Sequence, residues 1–367
     1  PDFQIVLCSC WIQTGHQCVA HGNKKTPLAV TFHCFAGDAI SLLMESSKMT
    51  SSKKFLFLCL AVMEGVAMSS MAKSTPASLV GVQRIVFLGD SITQAGDYVT
   101  DIECWLLSQG QQIEVIDVGL ASETATDLLP EENASHLKKF GFPRPGISAR
   151  LERTLAATKP DLVVACYGIN DGSGLPNTDA GLKRFSEAIT RFRDTAFKAG
   201  AKQVVLCTPP IHDSARTPDP HEENLVAFTQ WLVSKRAEGW TVVDIHSPMR
   251  RELDEIRKTN PSFKFQPDGV HPNRKGHWVM AREILTQFLG ADLGTSTSAE
   301  SFFVNNGSAI RALVDQRRLA LFSAYMGQIG HARPGVPGGP GQKPAPSLSE
   351  ATAQAAQITE KISPLLK

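Results

Sequence analysis

Between residues 84 and 247 the chain alternates short apolar runs with segments of helical period, and this alternation constrains the fold more than any other feature. The runs are "RIVFLGD" (84–90), "IEVIDVG" (113–119), "DLVVACYG" (161–168), "QVVLCTPP" (203–210) and "WTVVDIHS" (240–247). Val, Ile and Leu on adjacent positions suit strands buried on both faces, which means a parallel sheet covered by helices on either side. Between the runs, Leu182, Phe185, Ile189, Phe192 and Ala196 fall on one helical stripe, as do Leu225, Phe228 and Leu232. A later stripe holds Trp278, Ala281, Leu285 and Phe288. The pattern predicts an α/β fold: a three-layer α/β/α sandwich on a central, mostly parallel sheet of five strands.

The expected organisation has five parts. Residues 80–290 form the α/β domain and 291–334 a C-terminal helical extension, with a helix from about residue 308 to about 326. Residues 335–367 are a Pro/Gly linker, "ARPGVPGGPGQKPAP" (332–346), followed by a terminal helix marked by Ala351, Ala355, Ile358 and Ile362. Residues 49–72 read as a signal peptide. Lys53 and Lys54 precede an apolar run at 55–63, and small residues end at Ser70 and Ala72. The run is too short for a stable membrane span. On this reading Met49 is the biological start, residues 1–48 are non-native upstream material, and the protein is secreted or periplasmic. A buried core helix is the alternative for the apolar run.

Lys plus Arg number 37 against 36 for Asp plus Glu, so the charge balance gives no reason to expect a nucleic-acid partner. Cysteine usage is uneven. Cys8, Cys10 and Cys18 lack a fourth ligand for a zinc site, and Cys166 and Cys207 read as small buried hydrophobes in strands.

In an open parallel sheet the binding crevice lies beyond the carboxyl ends of the strands. Three runs end there in small or polar residues: Gly89-Asp90-Ser91, the stretch from Gly119 to Ser122, and Gly168-Ile169-Asn170-Asp171. A strand that halts at Gly89 presents the Ser91 hydroxyl at the sheet's upper edge. A serine nucleophile needs a base, an orienting acid and oxyanion donors. Asp268 and His271, three apart in "FQPDGVHPNRKGHW" (265–278), have the spacing that lets a carboxylate reach one imidazole nitrogen while the other faces outward. Gly119 could offer an unobstructed backbone N–H, and Asn170 a carboxamide N–H, for a developing oxyanion.

Taken in order, "GDS" (89–91), Gly119 in "DVGLASET" (117–124), "GIND" (168–171) and "DGVH" (268–271) resemble the four sequence blocks of the SGNH hydrolases, also called GDSL esterases. The resemblance covers residues 84–289. It implies the flavodoxin-like fold of that family, no cofactor and no metal, and hydrolysis of carboxylic esters through an acyl-serine. It also implies Ser91 as nucleophile, His271 as base, Asp268 as orienting acid, and an oxyanion hole from Ser91, Gly119 and Asn170. Two departures stand out: Ile92 follows Ser91 where the family commonly has Leu, and Ser122 stands near a frequent further glycine. The last position of a Gly-x-Ser-x-Gly elbow is held by Thr93, which disfavours the other common serine-hydrolase fold.

The partner expected is a small-molecule or polysaccharide ester, with an O-acetyl group on carbohydrate favoured. Lysophospholipid, aryl-ester or thioester hydrolysis on the same fold is the nearer alternative, and a non-catalytic glycan-binding module the more distant one. Self-association through the C-terminal helices is a further expectation. Asp90 and Asp171 are expected to hydrogen-bond their own loops. His212, Asp213, His221, Glu222 and Glu223 lack metal-ligand spacing and are expected to face substrate from a loop. Arg144, Arg150, Arg153 and the arginines of "DQRRLALF" (315–322) are assigned to solvated helix faces.

Overall fold

Five strands, β1 (Arg84–Gly89), β2 (Glu114–Asp117), β3 (Leu162–Cys166), β4 (Gln203–Cys207) and β5 (Thr241–Val243), pair in the order β2-β1-β3-β4-β5. Every pairing is parallel, so the sheet is fully rather than mostly parallel. The order is that of flavodoxin-like doubly wound sheets. In this computed structural model, residues 75–366 are described, together with the backbone of Ala29–His33 and Ala39–Leu43, which pair antiparallel in a separate unit. The expected signal peptide, the upstream segment and Cys8, Cys10 and Cys18 lie outside the described residues.

The central strands carry the uninterrupted apolar character that burial on both faces requires: all five residues of β3 and five of the six in β1 are buried. Cys166 and Cys207 sit in these strands as buried free thiols. The helices follow as α1 (Ser91–Ala95), α2 (Asp97–Ser108), α3 (Pro130–Phe140), α4 (Leu151–Thr158), α5 (Ile169–Gly174) and α6 (Asp179–Lys198). After them come α7 (Pro220–Ser234), α8 (His246–Arg257), α9 (Arg274–Gln287), α10 (Gly307–Ile329) and α11 (Leu348–Ile362). One layer contains α2 and α9 in contact, and the other contains α4, α6 and α7. The stripe on α6 buries Phe185, Ile189, Phe192 and Ala196, and Phe185 stacks on Phe228 of α7 at 3.9 Å between ring centroids.

Register aligns the carboxyl ends of the strands: Gly89 is level with Cys166, Cys166 with Cys207, and Cys207 with Val243. The direction in which successive strands are added switches at β1, because β2 lies on one side of it and β3, β4 and β5 on the other. Ser91 leaves β1 and Asn170 follows β3, so both border the crevice that this switch opens.

The C-terminal segments pack onto the domain. Helix α10 lies against α2, α4 and the edge strand β2, and α11 packs on α10 through the buried Ala351, Ala355, Ile358 and Ile362. Covering β2 removes an open sheet edge. The Pro/Gly stretch is also anchored, with Val336 buried and the His331 ring bonded to the Pro337 carbonyl at 2.8 Å. Among the described residues no helix is long and apolar enough to cross a membrane.

Candidate active site

Ser91 is the first residue of α1, a helix entered through an Asp90 cap whose carboxylate accepts the Ile92 N–H at 2.9 Å. Gly89 has no room for a side chain: a Cβ there would lie 2.0 Å from Thr93 Oγ1 and 2.7 Å from the Cys166 carbonyl oxygen. This close approach turns the chain abruptly and leaves Ser91 part-exposed above the sheet.

Ser91 Oγ lies 2.8 Å from His271 Nε2, and His271 Nδ1 lies 2.6 Å from Asp268 Oδ2. The Asp268 carboxylate fixes the tautomer by accepting the Nδ1 proton, so the Nε2 lone pair faces the hydroxyl. Asp268 Oδ1 is held by the backbone N–H groups of Val270 and His271 at 2.9 and 2.8 Å. Partial burial works to raise the Asp268 pKa. The bonds from the His271 ring and these two amides outweigh it and hold the carboxyl at about 2. The Asp268–His271 pair is open to solvent, with side chains 57% and 52% exposed.

Asn170 stands one residue inside α5, after Gly168 at φ 130°. Its Nδ2 donates to the Glu123 carbonyl at 3.0 Å, and its Oδ1 accepts from Arg144 Nη1. Arg144 Nη2 also donates to Ser173 Oγ at 3.1 Å. With Oδ1 held by a guanidinium, the amide cannot flip, and the remaining Nδ2 proton is free to donate.

Gly119 departs from its expected use as an oxyanion donor. Its N–H donates to the carboxylate of Asp117 at 2.9 Å in a buried setting. The glycine is required by packing instead, because a Cβ would lie 2.4 Å from the Gln94 nitrogen and 2.7 Å from the Thr93 carbonyl carbon. Three residues on, Ser122 adopts a left-handed backbone at φ 70°. Its hydroxyl lies 3.2 Å from His136 Nε2, while His136 Nδ1 donates to the Phe142 carbonyl at 2.9 Å. Among the described residues no protein acceptor takes the backbone N–H of Ser91 or of Ser122.

Buried charges brace these loops. Arg150 makes a two-pronged contact with Glu123 at 2.6 and 2.7 Å and donates to the Val118 carbonyl at 2.8 Å, while Tyr167 donates its hydroxyl to Glu123 at 2.7 Å. Arg150 and Glu123 are 2% and 0% exposed, so the solvated role expected for Arg150 does not hold. Arg144 leaves that category through its contact with Asn170. Arg153 does so by capping α10 at the Ile329 carbonyl, 3.1 Å away. Asp171 accepts from Thr126 N, Thr126 Oγ1 and Ala125 N at 2.9, 2.7 and 3.1 Å. Burial raises the Asp171 pKa and, against the Ile92 N–H, pushes Asp90 to about 7.

A cleft of about 620 Å³ opens beside Asp268, bordered by Ser173, His212, Arg216, Asp219 and Lys264. His221, Glu222 and Glu223 lie in the first turn of α7 rather than on a loop, and both histidines are tied down: His212 Nδ1 to Asp219 at 2.7 Å, and His221 Nε2 to the Ile169 carbonyl at 2.6 Å, with the two rings stacked at 4.1 Å. Burial, aided by nearby His212, lowers the His221 pKa to about 4. Asp213 and Glu222 do not face the cleft as free carboxylates. Asp213 pairs with Arg257 at 2.8 Å, and Glu222 takes Arg250 at 2.5 Å and the His212 N–H at 2.6 Å. Glu223 accepts from Asn177 at 2.5 Å.

Sequence reasoning missed His136 and Arg144 as neighbours of the site. The one available signal was Pro143-Arg144-Pro145. Proline restricts its own φ and the residue before it, so this arginine sits on an unusually fixed backbone.

A sequence model of the GDSL-like lipase/acylhydrolase family matches residues 87–279. No curated protein sequence matches the chain. Similar solved structures include a gut microbial diltiazem-metabolizing enzyme at 21% identity, covering 56% of this chain and 46% of that one with a TM-score of 0.43. The chain thus spans under half the length of that enzyme. An acetylxylan esterase from Geobacillus stearothermophilus is 20% identical, with 58% of this chain and 97% of that one covered and a TM-score of 0.44.

Proposed function

The chain belongs to the GDSL-like lipase/acylhydrolase family; from that premise we propose that it is a carboxylic ester hydrolase in which Ser91, His271 and Asp268 cleave a short acyl ester, above all an O-acetyl group on a polysaccharide. The observation that carries the catalytic assignment is the unbroken hydrogen-bonded line from Ser91 Oγ through the imidazole to Asp268.

As Ser91 Oγ attacks the ester carbonyl carbon, its proton passes to His271 Nε2, and Asp268 steadies the imidazolium. The carbonyl π pair moves onto oxygen, where the Ser91 N–H and the free Asn170 Nδ2 proton donate to it. The Ser122 N–H takes the place expected for Gly119, since its amide has no protein acceptor and Ser122 precedes Glu123, whose carbonyl binds Asn170. Collapse breaks the bond to the alcohol, which leaves with the Nε2 proton, and forms acyl-Ser91. Water then gives its proton to Nε2 and attacks the acyl carbon. The second collapse returns that proton to Ser91 Oγ and releases the carboxylic acid.

The cleft beside Asp268 is not lined by Ser91, Asn170 or His271, so it would hold the carrier rather than the acyl group, and its polar border, including His212, Arg216, Asp219 and Lys264, favours a hydroxyl-rich carrier. Export fits such a substrate. The feature supporting it is the basic, apolar and small-residue run at 49–72, testable by sequencing the N-terminus of the protein recovered outside the cell.

Ser91→Ala tests the assignment. Loss of 4-nitrophenyl acetate hydrolysis with an unchanged circular dichroism spectrum is expected, and undiminished turnover would refute it. A series from acetate to palmitate esters, followed by acetylated xylan and pectin, tests the substrate class. A preference for palmitate would overturn the acetyl reading.

A further inference from the structure

We infer that Arg318, supplied by α10 from beyond the family match, is a positioning residue that ties the helix carrying Ser91 to the loop from Gly119 to Ser122. The inference rests on the proposed role of Ser91.

The Arg318 guanidinium is 2% exposed. Its Nη1 donates to Asp117 Oδ2 at 2.7 Å and to the Gln94 carbonyl at 3.3 Å, and its Nη2 to the Ala95 carbonyl at 2.9 Å. Asp315 on the same helix accepts from Nε and Nη2 at 3.0 and 2.8 Å. Gln94 and Ala95 end α1, whose first residue is Ser91. A five-residue helix has too few internal bonds to hold itself, and its last carbonyls lack helical partners. Arg318 satisfies two of them and places positive charge at the negative end of that helix.

The other contacts close a circuit. Asp117 uses one carboxylate oxygen for Arg318 and the other for the Gly119 N–H at 2.9 Å. Gln94 Oε1 accepts the Ala121 N–H at 2.8 Å, linking α1 directly to the same loop. Gly96 opens the way for the guanidinium: at φ 78° it ends α1, and a Cβ there would lie 2.1 Å from Arg318 Cζ. The extension therefore supports the turn that bears the nucleophile, in addition to covering the sheet edge.

A buried ion pair with only a structural role would lower stability and leave turnover of the folded protein alone. The experiment uses the full chain and two variants. Arg318→Gln combined with Asp117→Asn removes both charges together, so no buried carboxylate is orphaned. Arg318→Lys keeps a cation opposite Asp117 without the fork that reaches both carbonyls. In variants with wild-type circular dichroism, kcat on 4-nitrophenyl acetate is expected to fall roughly a hundredfold with KM changed less than about threefold. Fluorophosphonate labelling of Ser91 should slow in parallel. Wild-type kcat in either folded variant overturns the inference and leaves Ser91 untouched. A wild-type protein that neither hydrolyses the ester nor takes the label overturns the reading of Ser91, and this inference with it.

Discussion

Asn170 and Glu123, 47 positions apart in the chain, are joined by a 3.0 Å hydrogen bond from the Asn170 carboxamide to the Glu123 backbone carbonyl. That bond ties the end of β3 to the loop after β2. The same carboxamide is gripped on its oxygen by Arg144, so its orientation is fixed from two sides.

Asn170→Asp replaces the donating amide by a carboxylate that cannot donate. If Asn170 stabilises the oxyanion, kcat should fall by about two to three orders of magnitude with little change in KM. Arg144→Ala leaves the amide in place but frees it to rotate, so a smaller loss, roughly tenfold, is expected. Steady-state kinetics on 4-nitrophenyl acetate distinguish the two.

The Arg150–Glu123 pair is fully desolvated, so its halves should be far from independent. Arg150→Met leaves a buried carboxylate with only Tyr167 as a side-chain donor and should destabilise the protein by about 3 to 5 kcal/mol. Adding Glu123→Gln removes the orphan charge and should recover a large part of that loss. Urea unfolding of both variants reads the difference. If the double variant is no more stable than Arg150→Met, the desolvation argument is wrong.

Much of the sheet is legible from local pattern, because a strand buried on both faces shows as a run of β-branched residues wherever it lies. Asp268 and His271 are legible for a related reason: three residues of separation suffice to predict that they can meet. Arg318 and Asp117 are 201 residues apart, and nothing near either one indicates a partner. An arginine between a polar residue and Leu319 defaults to solvent in any sequence reading. Gly119 shows the opposite failure. Its lack of a side chain suggested an exposed donor, whereas the cause is steric and comes from Thr93 and Gln94 in a different element. Ser122 holds a left-handed backbone without being glycine, and its one mark in the sequence is the further glycine that the resembling family often has near this position.

Asp268 is held at about 2, below its ordinary 3.8, by His271 and Val270. A depressed carboxyl contributes stability above its unfolded pKa and loses it as pH falls through the folded value, so this contribution is intact from about pH 5 upward and fades between about pH 4 and about pH 2. The charge that orients the imidazole is therefore constant across the neutral range. Asp268→Asn should lower kcat by roughly two to four orders of magnitude by removing that charge and the tautomer it selects. The loss should persist from about pH 6 to about pH 8, as read from rate–pH profiles of both proteins. Wild-type kcat for the variant anywhere in this range would refute the orienting role of Asp268.

Asp90 presents the opposite sign. Burial, reinforced by the charges of Asp171 and Glu123 and opposed by the Ile92 N–H, pushes its carboxyl from 3.8 to about 7. The folded protein therefore keeps a proton that the unfolded chain gives up. Stability from this group is complete below the unfolded value and is lost as pH rises through about 4 to about 7, after which it is flat. The span corresponds to on the order of 4 kcal/mol. Asp90→Asn keeps an oxygen for the Ile92 N–H and carries no charge to desolvate. The variant should gain stability over wild type as pH rises, with the gain complete by about pH 8 and absent near about pH 4. Urea unfolding at matched pH gives the difference curve, in which other titrating groups common to both proteins cancel. A difference that stays constant across the range would show that Asp90 is ionised in the folded protein throughout, and that its cap bond outweighs its burial.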